Sequence, residues 1–528
     1  MTPRTASLFA LGVAAGLAPG PRRAAAQAVP HGDTGQVARA AASITAEDVR
    51  ADLGIIADDS MPGRATPGPQ LEATAAWIAE RFRQFGLEPG GDSGSFIQRH
   101  PIRRLRVDST SFVMAMGRGA HGHWRLGREA AAILGRPPAE PLTAPVVLVV
   151  GLPGDTARPF GDVPMHGTIV MQVLDTSAED GNVIPLIARG AAAGVKAWIF
   201  VTNRRRSEFA RVAAAALRPR SDVPGPADAD PLPIPLYEVR DSSAVEVLRA
   251  AGEDLAADLA PAAAPGVRAL RGFTATVDVH VTAEREVSAL NTIGLLRGSD
   301  SALVGEVLAF SARMDHIGTT GGDAGCRLAG ADTICNGADT DASGAIAVAE
   351  LAQAFARLDP HPRRSILFMA VSGEERGLWG SGWYADHPAF PLAATVAVLN
   401  LDMAGRGPAD AVRAVGGELS SLGPLADSAA AAHPELRLRV VRDSASGERR
   451  SVSSGQSSFA RQGVPVLCLT IGLHADDHRA TDSVDQIDAE LEARIVRLAF
   501  YLGLAVADAP GRPAWEPGGA QPVAGSGP

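Results

Sequence analysis

Acidic and histidine side chains recur in five short motifs in the second half of the sequence, four of them following apolar, strand-like runs. Aspartate, glutamate and histidine are the ligands of zinc sites in which the metal activates a water molecule. Any one motif alone is common on protein surfaces, but together they predict a carboxylate–imidazole metal site of hydrolytic type. The motifs are residues 311–316 (SARMDH), 336–344 (NGADTDASG), 373–377 (GEERG), 399–402 (LNLD) and 474–482 (HADDHRATD).

The same part of the chain alternates strand-like and helix-like segments. Apolar strands separated by helices predict the α/β class, with a mostly parallel central sheet covered by helices on both faces. Ligands of such sheets bind at the carboxyl ends of the strands, where most of the motifs lie. The predicted strands are residues 306–312, 365–371, 395–402 and 464–471, and the predicted helices are residues 342–357 and 489–504.

The rest of the chain divides by pattern. Residues 71–85 are amphipathic at helical spacing, whereas residues 146–150, 168–174 and 195–201 are apolar runs of strand length. The module around these strands lacks a cluster of His, Asp and Glu. The predicted parts are a signal peptide (1–28), an N-terminal helical part of the main domain (29–106), an inserted β-rich α/β module (107–285), the α/β core (286–508) and a disordered Pro/Gly-rich tail (509–528).

The amino terminus and the overall charge bear on location. A 12-residue apolar run at 7–18, followed by Ala26 and Ala28, predicts export with cleavage after Ala28. We therefore expect a periplasmic or secreted protein that is soluble, with no membrane association after cleavage. The net charge of −10 argues against a nucleic-acid partner.

Three cysteines are too few for a disulfide framework. Cys326 and Cys335 flank a loop rich in Gly and Ala, and in an oxidising compartment they would either pair or remain two free thiols. Cys468 lies in an apolar strand-like run, where a thiol is usually a small buried residue.

The motifs resemble those of the co-catalytic di-zinc aminopeptidases, a family that also holds glutamate carboxypeptidase, glutaminyl cyclase and the transferrin receptor. The resemblance extends from residue 44 to about residue 505, and residues 107–285 resemble the protease-associated domain often inserted in this family. It implies a zinc-peptidase-like fold, two zinc ions in the family and a peptide substrate that is cleaved at its amino terminus.

The resemblance also implies roles for individual residues. One glutamate would take a proton from metal-bound water and its neighbour would bind zinc, because adjacent carboxylates on an irregular turn can face different ways. The residues carried over are Glu374 (general base) and Asp315 as catalytic groups, Glu375, Asp402 and His478 as metal ligands, and Asp482 as the partner that orients His478.

Three positions depart from the family pattern. Arg313 stands where the family has a zinc-binding histidine, and Thr340 stands where it has the aspartate that bridges both metals. Residues 454–456 (SGQ) replace a Ser-Asp-His sequence. One metal then keeps two ligands and the other keeps one, whereas a catalytic zinc usually has three protein ligands. We therefore expect one zinc ion or none.

Arg313 suggests what replaced the second metal. A guanidinium stays charged and cannot bind zinc, so beside Asp402 and Asp315 it would form charge-assisted pairs with carboxylates that the metal normally holds. Loss of the bridging aspartate and one divalent ion removes a single net positive charge, which Arg313 restores. A third ligand for the other zinc is disfavoured, because strand alternation sends sequence neighbours to opposite faces. The candidates are Asp339, Asp341, His316 and His474.

Three functions stay open at this point. The first is an exported metallo-aminopeptidase-like hydrolase with a degenerate metal site and weak or no activity. The second is a non-catalytic binding or structural relative with the same fold. The third is a single-zinc acyl-transfer enzyme similar to glutaminyl cyclase. The preferred substrate residue and the oligomeric state are not predicted.

Overall fold

A computed structural model describes most of the chain. The described residues are 33–135, 137–153, 158–175, 183–223, 234–260, 263–320, 325–327, 329–442, 455–517 and 519. The predicted signal peptide (1–28) and Ser454 lie outside them. No helix in the described ranges is long and apolar enough to cross a membrane.

The helices follow the predicted periodicity and capping. Thr45 accepts a hydrogen bond from the Asp48 N–H at the start of α2, and Asp488 does the same for Leu491 at the start of α12. The α-helices are α1 (Thr34–Ala42), α2 (Ala46–Ile56), α3 (Pro69–Gln84), α4 (Ile184–Ala192), α5 (Arg206–Ala216), α6 (Asp241–Ala251), α7 (Leu255–Asp258), α8 (Ser343–Ala356), α9 (Trp379–Asp386), α10 (Leu422–Ala432), α11 (Gln456–Arg461) and α12 (Ala489–Asp508).

The strands form two sheets. They are β1 (Glu88–Pro89), β2 (Ile97–Val107), β3 (Phe112–Gly117), β4 (Ala120–Arg125), β5 (Ala130–Leu134), β6 (Leu142–Val150), β7 (Ile169–Leu174), β8 (Ala197–Thr202), β9 (Arg220–Asp222), β10 (Leu236–Arg240), β11 (Gly266–Asp278), β12 (Val281–Leu296), β13 (Val307–Arg313), β14 (Ser365–Val371), β15 (Thr395–Leu401), β16 (Ala411–Val415), β17 (Arg439–Arg442) and β18 (Val466–Thr470).

The larger sheet has the order β17-β16-β18-β15-β13-β14-β12-β2-β9, with β1 also paired to β12. Its centre, β18-β15-β13-β14, is parallel as predicted. The strands outside this centre pair mainly antiparallel, so the sheet as a whole is mixed. The α/β prediction is confirmed, and the parallel part is the part that carries the motifs.

Helices cover both faces of this sheet. On one face α8 and α12 pack against the central strands, where Phe355 lies 4.6 Å from Phe500 and 5.6 Å from Phe310 between ring centroids. The N-terminal helices α1, α2 and α3 join the same core. On the opposite face, Tyr384 of α9 and Phe459 of α11 close a second, smaller core. The central strands are therefore buried on both sides, which accounts for their continuous apolar sequences.

The second sheet belongs to the inserted module. Its order is β4-β3-β11-β6-β7-β8-β10-β5, and its strands lie between Phe112 and Asp278, inside the predicted range of 107–285. The strands β6, β7, β8 and β10 are parallel, and α5 and α6 contribute to the core beside them. β2 and β12 are consecutive neighbours in the larger sheet and connect the two sheets.

The C-terminal segment differs from the predicted disordered tail over 509–528. Arg512 Nε donates to Glu306 Oε1 at 2.8 Å, and Trp515 Nε1 donates to the Gly463 carbonyl at 2.9 Å. Residues 509–517 therefore contact the core through an ion pair and an anchored aromatic ring, although the Pro/Gly composition lacks helix or strand periodicity.

Candidate active site

The parallel centre of the larger sheet brings three motifs to one edge. Arg313 is the last residue of β13, Glu374 and Glu375 follow β14, and Asp402 follows β15 directly. Because β13 pairs parallel with both β14 and β15, their carboxyl ends meet. Gly373 and Gly377, on either side of the Glu pair, have φ values of 74° and 112°, which allow the sharp turn after β14.

Arg313 lies at the centre of this edge. Its side chain is only 7% exposed, and its Nη1 donates to Glu375. Its Nε lies 3.8 Å from a Glu374 oxygen and 3.7 Å from an Asp402 oxygen. One guanidinium therefore lies within ion-pair distance of three carboxylates from two different loops. Its hydrogen bond to Glu375 is charge-assisted, because both partners carry a charge. We call Arg313, Glu374, Glu375 and Asp402 the Arg313 cluster.

The pKa values in this cluster follow from burial and mutual charge. Burial alone would lower the pKa of Arg313, but Glu375, Glu374 and Asp402 outweigh it and raise that pKa well above its usual value. Burial opposes ionisation of Glu375, yet Arg313, His316 and His478 hold its pKa well below the usual range. Burial, with the charges of Asp402 and Glu375, raises the pKa of Glu374 to about 8. The two adjacent glutamates therefore differ in protonation at neutral pH.

The predicted pairing of Arg313 with Asp315 is not made. Asp315 is fully buried, and its Oδ2 accepts from Thr66 Oγ1 at 2.6 Å and from the Gly373 N–H at 2.8 Å. Residues two apart share a face only within a strand, and β13 ends at Arg313, so Asp315 takes a different direction and holds the turn before Glu374 through the Gly373 N–H. Its place is that of a positioning residue, and sequence reasoning missed its partner Thr66.

His478 contacts Glu375 of the Arg313 cluster. Its Nε2 lies 3.1 Å from the Glu375 carboxylate, and this contact raises the pKa of His478. His478 has φ +59°, an uncommon conformation for a side-chain-bearing residue, which turns its ring toward Glu375.

His316 also lies at Glu375, against expectation. Its Nδ1 is 3.5 Å from Glu375 Oε1, and its ring centroid is 5.6 Å from that of His478. The alternation argument failed because β13 ends three residues earlier and the chain then pairs with Ala65. Burial lowers the pKa of His316 to about 4.

Asp482 has a different partner from the predicted one. Its two oxygens accept the backbone N–H groups of Asp339 and Thr340, each at 3.0 Å, and not a hydrogen bond from His478. The loop reverses between His478 and Asp482, so the His-x-x-x-Asp spacing does not bring the two side chains together. Asp482 instead fixes the 338–342 turn.

The 338–342 turn contains two buried carboxylates and one buried hydroxyl, those of Asp339, Asp341 and Thr340. Asp341 Oδ1 accepts from the Gly344 and Met403 N–H groups at 2.9 Å, and burial together with Asp402 holds its pKa well above the usual range. Asp339 accepts from Gly405 N–H at 2.7 Å and lies 3.2 Å from His474 Nε2. Thr340 is buried and supplies no carboxylate, and the Thr340–Asp341 peptide is cis.

Arg64 is a further residue that the sequence patterns did not reveal. It is 0% exposed and donates to the carbonyls of Met314, Ile56, Asn336 and Gly337 at 2.7–3.0 Å. Burial lowers its pKa to about 10. Arg64 thus joins α2, the end of β13 and the 338–342 turn.

The Arg313 cluster forms the floor of a cleft of about 200 Å³. Its remaining wall includes apolar side chains, among them Met403, Val415 and Leu473, the last of which is 62% exposed. Gln456, from the sequence that replaces the family's Ser-Asp-His, also lines the cleft, as does the buried free thiol of Cys468. The cleft lining therefore combines acidic and apolar side chains.

These residues do not fit a zinc ion. The described ranges contain no group of three or more His, Cys, Asp or Glu side chains that could hold a metal ion. The space between Glu375 and Asp402 contains the Arg313 guanidinium, which has no lone pair to donate, and Thr340 contributes no carboxylate. We therefore assign these residues no catalytic step that uses a metal.

The two cysteines of the Gly/Ala-rich loop are joined in the structure. Cys326 and Cys335 form a disulfide with a Cα–Cα distance of 5.8 Å. Of the two alternatives, the paired form is the one present. The disulfide is close to the cleft loop, because the Arg327 N–H donates to the His478 carbonyl at 3.0 Å.

Comparison with known proteins gives one family. Residues 291–503 match the model of peptidase family M28. This range contains β13, β14, β15 and β18 and every residue of the Arg313 cluster. No curated protein matches the chain significantly.

Three solved structures similar to this chain are peptidases by name, and the first of them has a TM-score above 0.5. An aminopeptidase from Aneurinibacillus sp. strain AM-1 is 18% identical, covers 92% of this chain and 98% of its own, and has a TM-score of 0.51. BSAP, a zinc aminopeptidase from Bacillus subtilis, is 16% identical with coverages of 87% and 94% and a TM-score of 0.45. A peptidase M28 precursor from Shewanella amazonensis SB2B is 18% identical with coverages of 91% and 97% and a TM-score of 0.43.

The family match and the fold together support a peptidase-like function. Residues 291–503 therefore match peptidase family M28, in agreement with the resemblance predicted from the sequence motifs.

Proposed function

We propose that this protein is an exported, aminopeptidase-like protein that binds the amino-terminal segments of peptides and hydrolyses them weakly or not at all. The observation that carries the proposal is the position of Arg313, whose guanidinium contacts Glu375 and lies 3.7 Å from Asp402. By resemblance, these are ligands of the two different metals in the family. The side chain of Arg313 therefore stands between the two metal positions.

The charge of the cleft favours a peptide amino terminus. Arg313 supplies one positive charge to Glu374, Glu375 and Asp402, and Asp477 adds a further carboxylate to the lining. Because this lining keeps an excess of acidic groups, a ligand with an ammonium group is attracted and a ligand with a carboxylate is repelled. The apolar wall at Met403, Val415 and Leu473 would accept an apolar first side chain.

Weak hydrolysis follows from the same residues. In metallopeptidases the metal lowers the pKa of a bound water molecule to about 7 and polarises the scissile carbonyl. Arg313 donates a hydrogen bond to Glu375 and lies within ion-pair distance of Glu374 and Asp402, and a guanidinium does not generate hydroxide. The substituted positions Arg313 and Thr340 thus support a role in binding more than a role in turnover.

A metal-dependent aminopeptidase is the second candidate. It is favoured by the retained contact of His478 with Glu375 at 3.1 Å and by Glu374 at the floor of the same cleft. If a single zinc displaced Arg313 from Glu375, then by resemblance Glu375 and His478 would be available as ligands and Glu374 as the general base.

One pair of measurements separates the two candidates. Release of 4-nitroaniline from leucine 4-nitroanilide is followed with and without added Zn²⁺, for the wild type and for Glu374→Gln. Calorimetry then compares a Leu-initiated tripeptide with its N-acetylated form. We expect no zinc-dependent release above the Glu374→Gln background, and binding that acetylation weakens at least 10-fold. Zinc-dependent turnover that Glu374→Gln abolishes would establish the second candidate instead.

Export is the remaining part of the proposal. It is supported by the leader predicted over residues 1–28 and by the Cys326–Cys335 disulfide, because such bonds persist in oxidising compartments. Mass spectrometry of the secreted or periplasmic protein should find Val29 as the first residue. An intact leader on protein recovered from the cytoplasm would contradict it.

A further inference from the structure

Two methionines and two histidines face each other on the β3–β4 hairpin of the inserted module. In the antiparallel register Met116 lies opposite His121, and Met114 lies opposite His123. Residues two apart on a strand point to the same face, so all four side chains lie on one side of the hairpin. We call these four residues the Met/His face.

The Met/His face is the open side of the sheet. Met116 is 47% exposed and both histidines are exposed, whereas the alternate residues Val113 and Trp124 are buried. β4 is also the last strand of its sheet. Solvent can therefore reach Met116 and both histidines without any change in the fold, while Met114 is half-buried and the His123 ring centroid lies 4.4 Å from that of Phe112 on the same face.

Burial does not account for Met116 on this face, whereas Met114 is half-buried. The chain has 9 Met and 12 His in 528 residues, yet two of each meet within ten consecutive positions. An exposed methionine gains little from the hydrophobic effect, which scales with the apolar area removed from water. Their chemistry as sulfur donors is the property that the arrangement uses.

The geometry permits both residue types to contact one ion. Directly opposed residues of an antiparallel pair have Cβ atoms about 5 Å apart. Neighbouring pairs are about 7 Å apart along the strands. Methionine and histidine side chains are longer than half of either separation. A thioether sulfur and an imidazole nitrogen from opposite strands can therefore approach the same point above the hairpin.

We propose that Met114, Met116, His121 and His123 form a binding site for a soft, monovalent metal ion, copper(I). Thioether sulfur selects copper(I) over hard cations such as Mg²⁺ and Ca²⁺, and imidazole is a good ligand for copper as well. Thioether sulfur and imidazole nitrogen bring no negative charge to a site, so they suit an ion of low charge.

The proposal is tested by titrating the purified full-length mature protein with copper(I) under anaerobic conditions, in competition with a copper(I) chelator. All proteins carry Cys468→Ala, because a free thiol would itself bind copper(I). The test variants are Met114→Leu/Met116→Leu and His121→Gln/His123→Gln. The matched control is Met61→Leu/His280→Gln, which changes the same residue types elsewhere. Circular dichroism and thermal unfolding establish that each variant is folded.

We expect one copper(I) per chain, an affinity that falls at least 10-fold in each test variant, and no change in the control. X-ray absorption of the loaded protein should show both sulfur and nitrogen neighbours. The proposal is overturned if the Met114→Leu/Met116→Leu variant binds copper(I) as tightly as its parent, or if the bound ion has no sulfur neighbour.

Discussion

The guanidinium of Arg313 contacts the carboxylate of Glu375 at the carboxyl ends of the paired strands β13 and β14. The same guanidinium lies 3.7 Å from Asp402 on the other side. A cation that belongs to the chain therefore joins groups that, by resemblance, two metal ions join in the family. Stability, metal affinity and the chemistry of the cleft all depend on this contact.

Removal of the Arg313 charge should destabilise the protein strongly. Arg313→Met leaves Glu375 and Asp402 in a buried site without their cation, and loss of one partner of a buried ion pair typically costs about 3–5 kcal/mol. Urea unfolding at pH 7 measures this loss. Arg83→Met, which breaks the exposed pair with Glu80, is the matched control and should have little effect. Equal stability of Arg313→Met and the wild type would mean that the cluster is not formed in solution.

Arg64 should not tolerate replacement by lysine. The ammonium of lysine cannot reproduce the four hydrogen bonds that the Arg64 fork donates to three separate segments, and each unsatisfied buried carbonyl costs about 1–3 kcal/mol. We expect Arg64→Lys to lower the free energy of unfolding by several kcal/mol and to increase hydrogen exchange at residues 336–344. Unchanged exchange in that segment would show that Arg64 does not hold the turn.

Glu350 on α8 should make stability depend on pH. It is 3% exposed, its Oε2 has no hydrogen-bond partner among the described residues, and burial, with Asp52 and Asp48, raises its pKa to about 8. The folded protein thus keeps a proton that the unfolded chain releases near pH 4.5. The contribution of Glu350 to stability is complete below that pH and is lost as the pH rises through about 8.

Glu350→Gln removes this proton linkage. Relative to the wild type, the variant should become more stable between pH 5 and pH 8, by at most about 1.4 kcal/mol for each pH unit. Urea midpoints at the two pH values measure the difference. Glu47→Gln, at an exposed position of α2, is the control and should differ from the wild type equally at both pH values. A pH-independent difference for Glu350→Gln would contradict the assignment.

The three cysteines should be distinguishable by alkylation. Cys468 is buried and free, whereas Cys326 and Cys335 are joined. In mass spectra of the exported protein we expect no alkyl group on the native form, one after unfolding without reductant and three after unfolding with reductant. Three groups on the unfolded, unreduced protein would rule out the disulfide.

Local sequence patterns were sufficient for the part of the fold that positions the site. Apolar runs predicted β14 at residues 365–371. They also predicted, within a few residues, β13 before it and β15 after it in the chain. The amphipathic period of residues 71–85 likewise predicted α3. These elements are defined by burial of one face or both, and burial leaves a periodic trace in the sequence. Strand direction outside the parallel centre leaves no such trace, so the antiparallel flanks were not predicted.

The contacts that complete the site depend on tertiary structure. Arg64 donates to a carbonyl 250 residues away, and Thr66 donates to Asp315 across a similar separation. Neither residue belongs to a motif with chemistry of its own. His316 was disfavoured by strand alternation, which fails where the strand ends, and Asp482 was paired with His478 by spacing, which fails where the loop reverses. In contrast, Arg313 was predicted correctly beside Asp402, because both follow adjacent parallel strands.

We expect Arg313 and Thr340 to exclude zinc from the cleft, and calorimetric titration of the protein with Zn²⁺ measures whether they do. Chelator-treated wild type is compared with the double variant Arg313→His/Thr340→Asp and with Glu375→Ala. We expect no stoichiometric zinc binding by the wild type and at least 100-fold tighter zinc binding by the double variant. Stoichiometric zinc binding by the wild type that is lost in Glu375→Ala would mean that Arg313 and Thr340 do not exclude zinc.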